Sequence, residues 1–145
     1  MSVPFRFDTV LRVREAERDR CQQGLALEQQ REAVLAAERD RLSAERSAVL
    51  DELRQSQQGE GLSADQEMAR RQYADHLATE IARAVTALNE ATSSVAQRRN
   101  ELLEVDTAVK ALENLAGRHT ADQTRIEQAN SEREREETWR GGRVA

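Results

Sequence analysis

From Leu77 to Ile126 apolar residues recur at alternating steps of four and three: Leu77, Ile81, Ala84, Leu88, Ala91, Val95, Arg98, Leu102, Val105, Val109, Leu112, Ala116, His119, Gln123 and Ile126. Twelve of these fifteen positions are apolar, and the pattern holds for about seven heptads. A mean spacing of 3.5 residues over that length marks a long helix packed along another helix. Such a helix encloses no pocket, so function has to come from surfaces, length and ends. Ala, Glu, Lys, Leu and Arg supply 77 of the 145 residues, the composition of a coiled coil. Two Phe, one Tyr and one Trp are too few to anchor a rounded core, and the single proline, Pro4, leaves every later position open to helix.

The net charge of −5 is finely mixed, as in Arg12-Val13-Arg14-Glu15-Ala16-Glu17-Arg18-Asp19-Arg20 and Glu132-Arg133-Glu134-Arg135-Glu136-Glu137. No run of five like charges occurs, which argues against a basic arm for nucleic acid and for solvated helix faces. No apolar stretch approaches the ~20 residues that cross a membrane, and none follows the basic-then-apolar pattern of a secretion signal. The expectation is a cytoplasmic, soluble protein without direct membrane insertion. Cys21 is the one cysteine and falls on the seam of the first helix, where a thiol acts as a small hydrophobe.

That first seam steps through Phe7, Leu11, Arg14, Arg18, Cys21, Leu25, Glu28, Glu32, Leu35, Arg39, Leu42, Arg46, Val49 and Leu53, with eight of fourteen positions apolar. Leu27 and Val34 lie just beside it and are expected to widen it, and Asp8 is the expected N-cap. Between the seams, Gly59-Glu60-Gly61 stops one helix and Ser63-Ala64-Asp65-Gln66 fits a capping box that starts the next. A stop and a start that close together favour antiparallel neighbours. One continuous helix with a glycine hinge, dimerising in parallel, is the alternative. The reading is all-α: an elongated antiparallel two-helix coiled-coil hairpin with unequal arms and a projecting C-terminal helix. One domain covers residues 1–145, with helix one at about 5–57, a loop at about 58–62, helix two at about 63–139 and a frayed tail at 140–145. An apex near residue 60 makes partner numbers add to about 120. Helix one then runs out opposite Ala116, and residues from Arg118 onward have no partner within the monomer.

No residue pattern supports catalysis or a cofactor. His76 and His119 are far apart, and His119 with Asp122 falls short of the three or four converging ligands zinc needs. Gly59-Glu60-Gly61 lacks the strand and third glycine of a dinucleotide loop, and no phosphate-binding G-x-x-x-x-G-K occurs. Nothing shields the carboxylates from water or activates Ser43 or Ser63. Near the loop, Leu50, Leu62, Met68 and Tyr73 form a candidate apolar patch for a partner.

Two stretches resemble a known family. Phe5-Arg6-Phe7-Asp8-Thr9-Val10-Leu11-Arg12-Val13-Arg14-Glu15 resembles the opening of the flagellar FliJ family: paired aromatics, a leucine and an Arg-Glu helix. Val109-Lys110-Ala111-Leu112-Glu113-Asn114-Leu115-Ala116-Gly117-Arg118-His119 is similar to that family's Lys-x-Leu-Glu-x-Leu stretch, which leads into a Glu/Arg-rich helix as here. Asn114 and Gly117 stand where family members often carry a basic and an acidic residue. The resemblance implies a monomeric hairpin in the flagellar type III export apparatus, peripherally associated with its inner-membrane assembly. It implies three partners: the hexameric flagellar export ATPase, the cytoplasmic domain of the export gate, and export chaperones. Carried onto this sequence, ATPase contact falls to Arg6, Arg118, Arg125, Arg133, Arg135 and Trp139, and export-gate contact to Leu50, Leu62, Met68 and Tyr73. Phe7, Leu11, Leu35, Leu42, Leu77, Ile81, Leu88, Val95, Leu102, Val109 and Leu112 would form the seam. The stalk of a virulence-type III secretion system and an unrelated dimeric coiled-coil scaffold are the competing readings.

Overall fold

The computed structural model describes residues 3–59 and 61–143. They form two helices, α1 (Asp8–Gln58, 51 residues) and α2 (Ala64–Arg143, 80 residues), with no strand among the described residues. The fold is an all-α helical hairpin. Its packing falls into two units, Gln22–Asn100 around the loop and a second built from the chain up to Cys21 and from Glu101 onward.

Helix α1 starts at Asp8, later than the bound near residue 5 and one residue before an Asp8 cap would place it. The Phe7 carbonyl accepts the Leu11 N–H at 2.8 Å and the Phe5 carbonyl accepts the Asp8 N–H at 3.2 Å. Phe7 is therefore the capping position and Asp8 the first helical residue. The Asp8 carboxylate pairs with Arg12 at 3.1 Å instead of capping, and its charge still suits the positive end of the helix. At the other terminus, α2 continues through Gly141 and Gly142 to Arg143, where the sequence reading places a frayed tail. Val144 and Ala145 lie outside the described residues.

In the loop unit the turn is tied by short-range bonds. The Gln66 N–H donates to Ser63 Oγ at 3.2 Å, the Ser63 N–H to Gln66 Oε1 at 3.0 Å, and the Glu67 N–H to the Ser63 carbonyl at 2.9 Å. This is the capping box that the Ser-x-x-Gln spacing predicts. Ser56 Oγ donates to Glu67 Oε1 at 2.8 Å and accepts the Leu62 N–H at 3.2 Å, which links the last turn of α1 to the first of α2. Neither loop glycine takes a left-handed conformation. Gly61 is needed for proximity: a Cβ there would sit 2.9 Å from the Ser56 Cα.

Behind the turn, Leu42, Val49 and Leu53 of α1 pack with Ala74, Leu77 and Ala84 of α2, and Leu50 and Ile81 lean on the cluster. Leucines on one helix against alanines on the other keep the helices close. Ala91 and Val95 extend the buried line, flanked by half-buried Leu35 and Leu88. Cross-helix contacts follow the expected register. Arg46 Nε donates to the Ala74 carbonyl at 3.3 Å, Tyr73 donates to the Glu45 carboxylate, Arg70 meets Glu52 at 3.1 Å, and a side chain at Gly24 would meet the Arg98 guanidinium. Each pair adds to within two of 120. Leu27 and Val34 do not widen the seam: both are about two-thirds exposed. Glu28 occupies a seam position, and its inner oxygen lies 3.8 Å from Arg31 with no hydrogen-bond partner among the described residues.

In the second unit Val109 is fully buried, with Leu11, Cys21, Leu102, Val105 and Leu112 half-buried. Arg18, on the α1 seam, lies 3.9 Å from both Asp106 and Glu113, and Lys110 pairs with Asp106 at 2.9 Å. A long arginine on a seam can lay its stem along apolar neighbours while its head reaches carboxylates at the edge.

Candidate partner-binding surfaces

The first surface lies in the second unit, where α2 emerges from its partner. Pro4 has no N–H and biases Val3 toward extended backbone, so residues 3–7 cannot simply continue α1 upstream. They cross α2 instead. The Val3 carbonyl accepts a hydrogen bond from His119 Nε2 at 2.8 Å, and the Val3 N–H approaches Gln123 Oε1 at 3.5 Å. The Phe5 ring sits 5.7 Å from the His119 ring and edge-on to Phe7 at 5.9 Å. The sequence reading ends pairing at Ala116; this segment carries it to Gln123. Phe5 is half-buried, whereas Phe7, the expected seam residue, is 40% exposed and lies beneath the Arg6 guanidinium at 5.5 Å. Phe5 is the more covered of the two because the helix begins only at Asp8, which leaves Phe5 on the crossing segment.

Past Gln123, every residue from Thr124 to Gly142 is exposed. About 20 residues of α2, roughly 30 Å of helix at 1.5 Å per residue, have no buried or half-buried position. Thr120, Thr124 and Thr138 return their hydroxyls to the carbonyls of Ala116, Thr120 and Glu134, at 2.8–3.1 Å. Ile126 (51% exposed) continues the seam, while Trp139 (60% exposed) lies beside Ser131, Glu134, Arg135 and Thr138. Thirteen residues at 100° per residue put these two anchors about 140° apart around the axis. The apolar anchors thus face different directions, where a helix docking on one neighbour would align them in a stripe.

Of the basic residues singled out by the resemblance, Arg6, Arg118, Arg125, Arg133 and Arg135 are all exposed in this unit. Arg125 is paired with Asp122, so Asp122 is not aimed at His119, and His119 is engaged by Val3. Among the described residues no group of three or more His, Cys, Asp or Glu could hold a metal ion, and no helix is long and apolar enough to cross a membrane.

The second surface lies in the loop unit. Its four named residues are not equivalent. Leu50 packs on the core cluster and Leu62 is half-buried, whereas Met68 is 62% exposed. Tyr73 is held by the Glu45 carboxylate, which also meets Arg41 at 3.4 Å, and Arg41 pairs with Glu38 at 2.7 Å. Donation to Glu45 raises the Tyr73 pKa above its ordinary value, because ionised tyrosine would lose that bond and face a carboxylate. The Arg41 bond holds the Glu38 carboxyl below the usual range. The sequence reading missed this Glu38–Arg41–Glu45–Tyr73 chain. Its i,i+3 and i,i+4 spacings were visible, but the cross-helix link from Tyr73 needs the register.

A family model described as flagellar FliJ protein matches residues 2–137. Comparison with curated proteins and with solved structures finds no match.

Proposed function

The chain belongs to the flagellar FliJ family, non-catalytic proteins associated with flagellar type III export, and from that premise we propose that it is the stalk of the hexameric export ATPase and an escort for export chaperones. The observation that carries the stalk reading is the solitary helix beyond Gln123 with Ile126 and Trp139 on different faces. An isolated helix of that length is marginal in water, so it gains most from surroundings that contact it on several sides, as the pore of a ring does. Arg118, Arg125, Arg133 and Arg135 supply charged rim contacts around those anchors, with Arg6 beside them. Contact with the export gate's cytoplasmic domain falls to the loop unit through Met68, Tyr73 and the exposed parts of Leu50 and Leu62. The protein works as a monomer peripherally associated with the inner-membrane export apparatus.

The test is the ATP hydrolysis rate of the cognate export ATPase with the full chain and with a chain ending at Gln123, which keeps the crossing segment and its partners. Stimulation by the full chain that is lost on truncation is the expected result. Equal stimulation by both would move the contact to the paired region, and no effect from either would remove the stalk reading.

A further inference from the structure

The segment Val3–Phe7 and the α2 positions His119 and Gln123 form a unit that the stalk reading does not use. His119 and Gln123 are one helical turn apart and so share a face. Between them they take both backbone groups of one residue, the carbonyl and the N–H of Val3. A carbonyl only accepts, so His119 Nε2 carries the hydrogen. Phe5 adds a ring contact to the same histidine, and Val3, Phe5, His119, Thr120, Gln123, Thr124 and Glu127 line one shallow groove. His119, Gln123 and Ile126 are successive seam positions of α2, the face that a neighbouring helix would otherwise cover.

We propose that residues 3–7 are a displaceable strap, an autoinhibitory cover over the first turn of α2 beyond its helical partner, which lifts when the export ATPase takes the His119–Gln123–Ile126 face. The cover is built to yield. It is held by one short hydrogen bond, one long one and a ring contact, all at exposed or half-buried positions. Val3–Phe5 belong to no helix or strand and Arg6–Phe7 form a turn, so lifting the segment at Val3 and Phe5 breaks no helical ladder. This inference rests on the stalk reading for the identity of the displacing partner and on the strap geometry for the rest.

The chain has two phenylalanines, so labelling with 4-fluorophenylalanine gives two 19F resonances, and Phe7→Leu identifies the one from Phe5. In the full chain alone, His119→Ala is expected to move the Phe5 resonance to that of a solvent-exposed ring. Adding the purified export ATPase to the unsubstituted chain is expected to move it the same way. Phe5→Ala, which weakens the cover without altering the α2 face, is expected to bind the ATPase roughly fivefold more tightly, the scale of one ring contact that no longer has to break. Circular dichroism checks that both variants keep their helix content. A Phe5 resonance indifferent to His119→Ala would overturn the strap whatever the ATPase does. A resonance that responds to His119→Ala but stays put while the ATPase binds would overturn the cover and leave the stalk reading intact. Absence of ATPase binding by either chain would overturn the stalk reading and the cover with it, leaving the docked strap as a separate observation.

Discussion

The loop unit and the unit holding the chain ends are built from the same two helices, yet they are packed differently. Among the described residues, eight apolar ones are buried around the loop, from Leu42 on α1 to Val95 on α2, and in the other unit Val109 alone is. The loop unit joins its helices through leucine against alanine and locks its turn with Ser56 and Ser63. The other unit uses an arginine on the seam, a crossing segment and a histidine. Helix formation is similar in both, because propensity and the absence of interior proline favour it throughout. What differs is how much apolar surface leaves water, and that sets where stability is concentrated. The weakly packed unit is also the one that presents uncovered helix, as expected of a surface that exchanges its own contacts for those of a partner.

The sharpest way to break this comparison is to empty one buried position in each unit. Leu77→Ala should cost about 3 kcal/mol and Val109→Ala about 1.5 kcal/mol, read from denaturant midpoints at constant slope. Equal losses would mean that the two units unfold as one and that buried area does not rank them. A smaller effect tests the turn. Gly61→Ala forces a Cβ onto the Ser56 backbone and should destabilise by about 1–2 kcal/mol, seen as a lower thermal midpoint with helix content retained below it.

Gly117→Ala should act in the opposite direction. The helix passes straight through Gly117, and nothing lies within 4 Å of where a Cβ would go. Alanine should therefore raise stability by up to about 1 kcal/mol and slow amide exchange around Arg118. No gain would show that Gly117 does not weaken the helix at this point. The smallest effect is pH-dependent. The Tyr73 pKa is raised in the folded chain, so its contribution is present below the ordinary tyrosine range and is lost as pH rises through the folded value. Glu38 runs the other way: its lowered pKa gives a contribution present above the usual carboxylate range and lost as pH falls through the folded value. Both sites are exposed, so the slopes should be slight. Alkaline melting curves of Tyr73→Phe that still track those of the unsubstituted chain would remove Tyr73 from the account.

Much of this protein was legible in advance. The 3.5-residue repeat specifies two long helices, Gly59 to Gln66 places the turn and its capping box, and a turn there dictates which positions meet. Those features depend on neighbours along the chain or on periodicity, and both are written in sequence order. The two sequence stretches that resemble the FliJ family lie within the region matched by the family model. Three decisions belong to tertiary structure alone. Phe5, not Phe7, meets the end of the seam, because only the observed start of α1 at Asp8 leaves Phe5 free to cross. Leu27 and Val34 stay in solvent, because the partner helix covers only the seam face of α1. The reach of the crossing segment to His119 and Gln123 depends on a backbone carbonyl and an N–H, groups that every residue carries and that no sequence pattern can therefore single out.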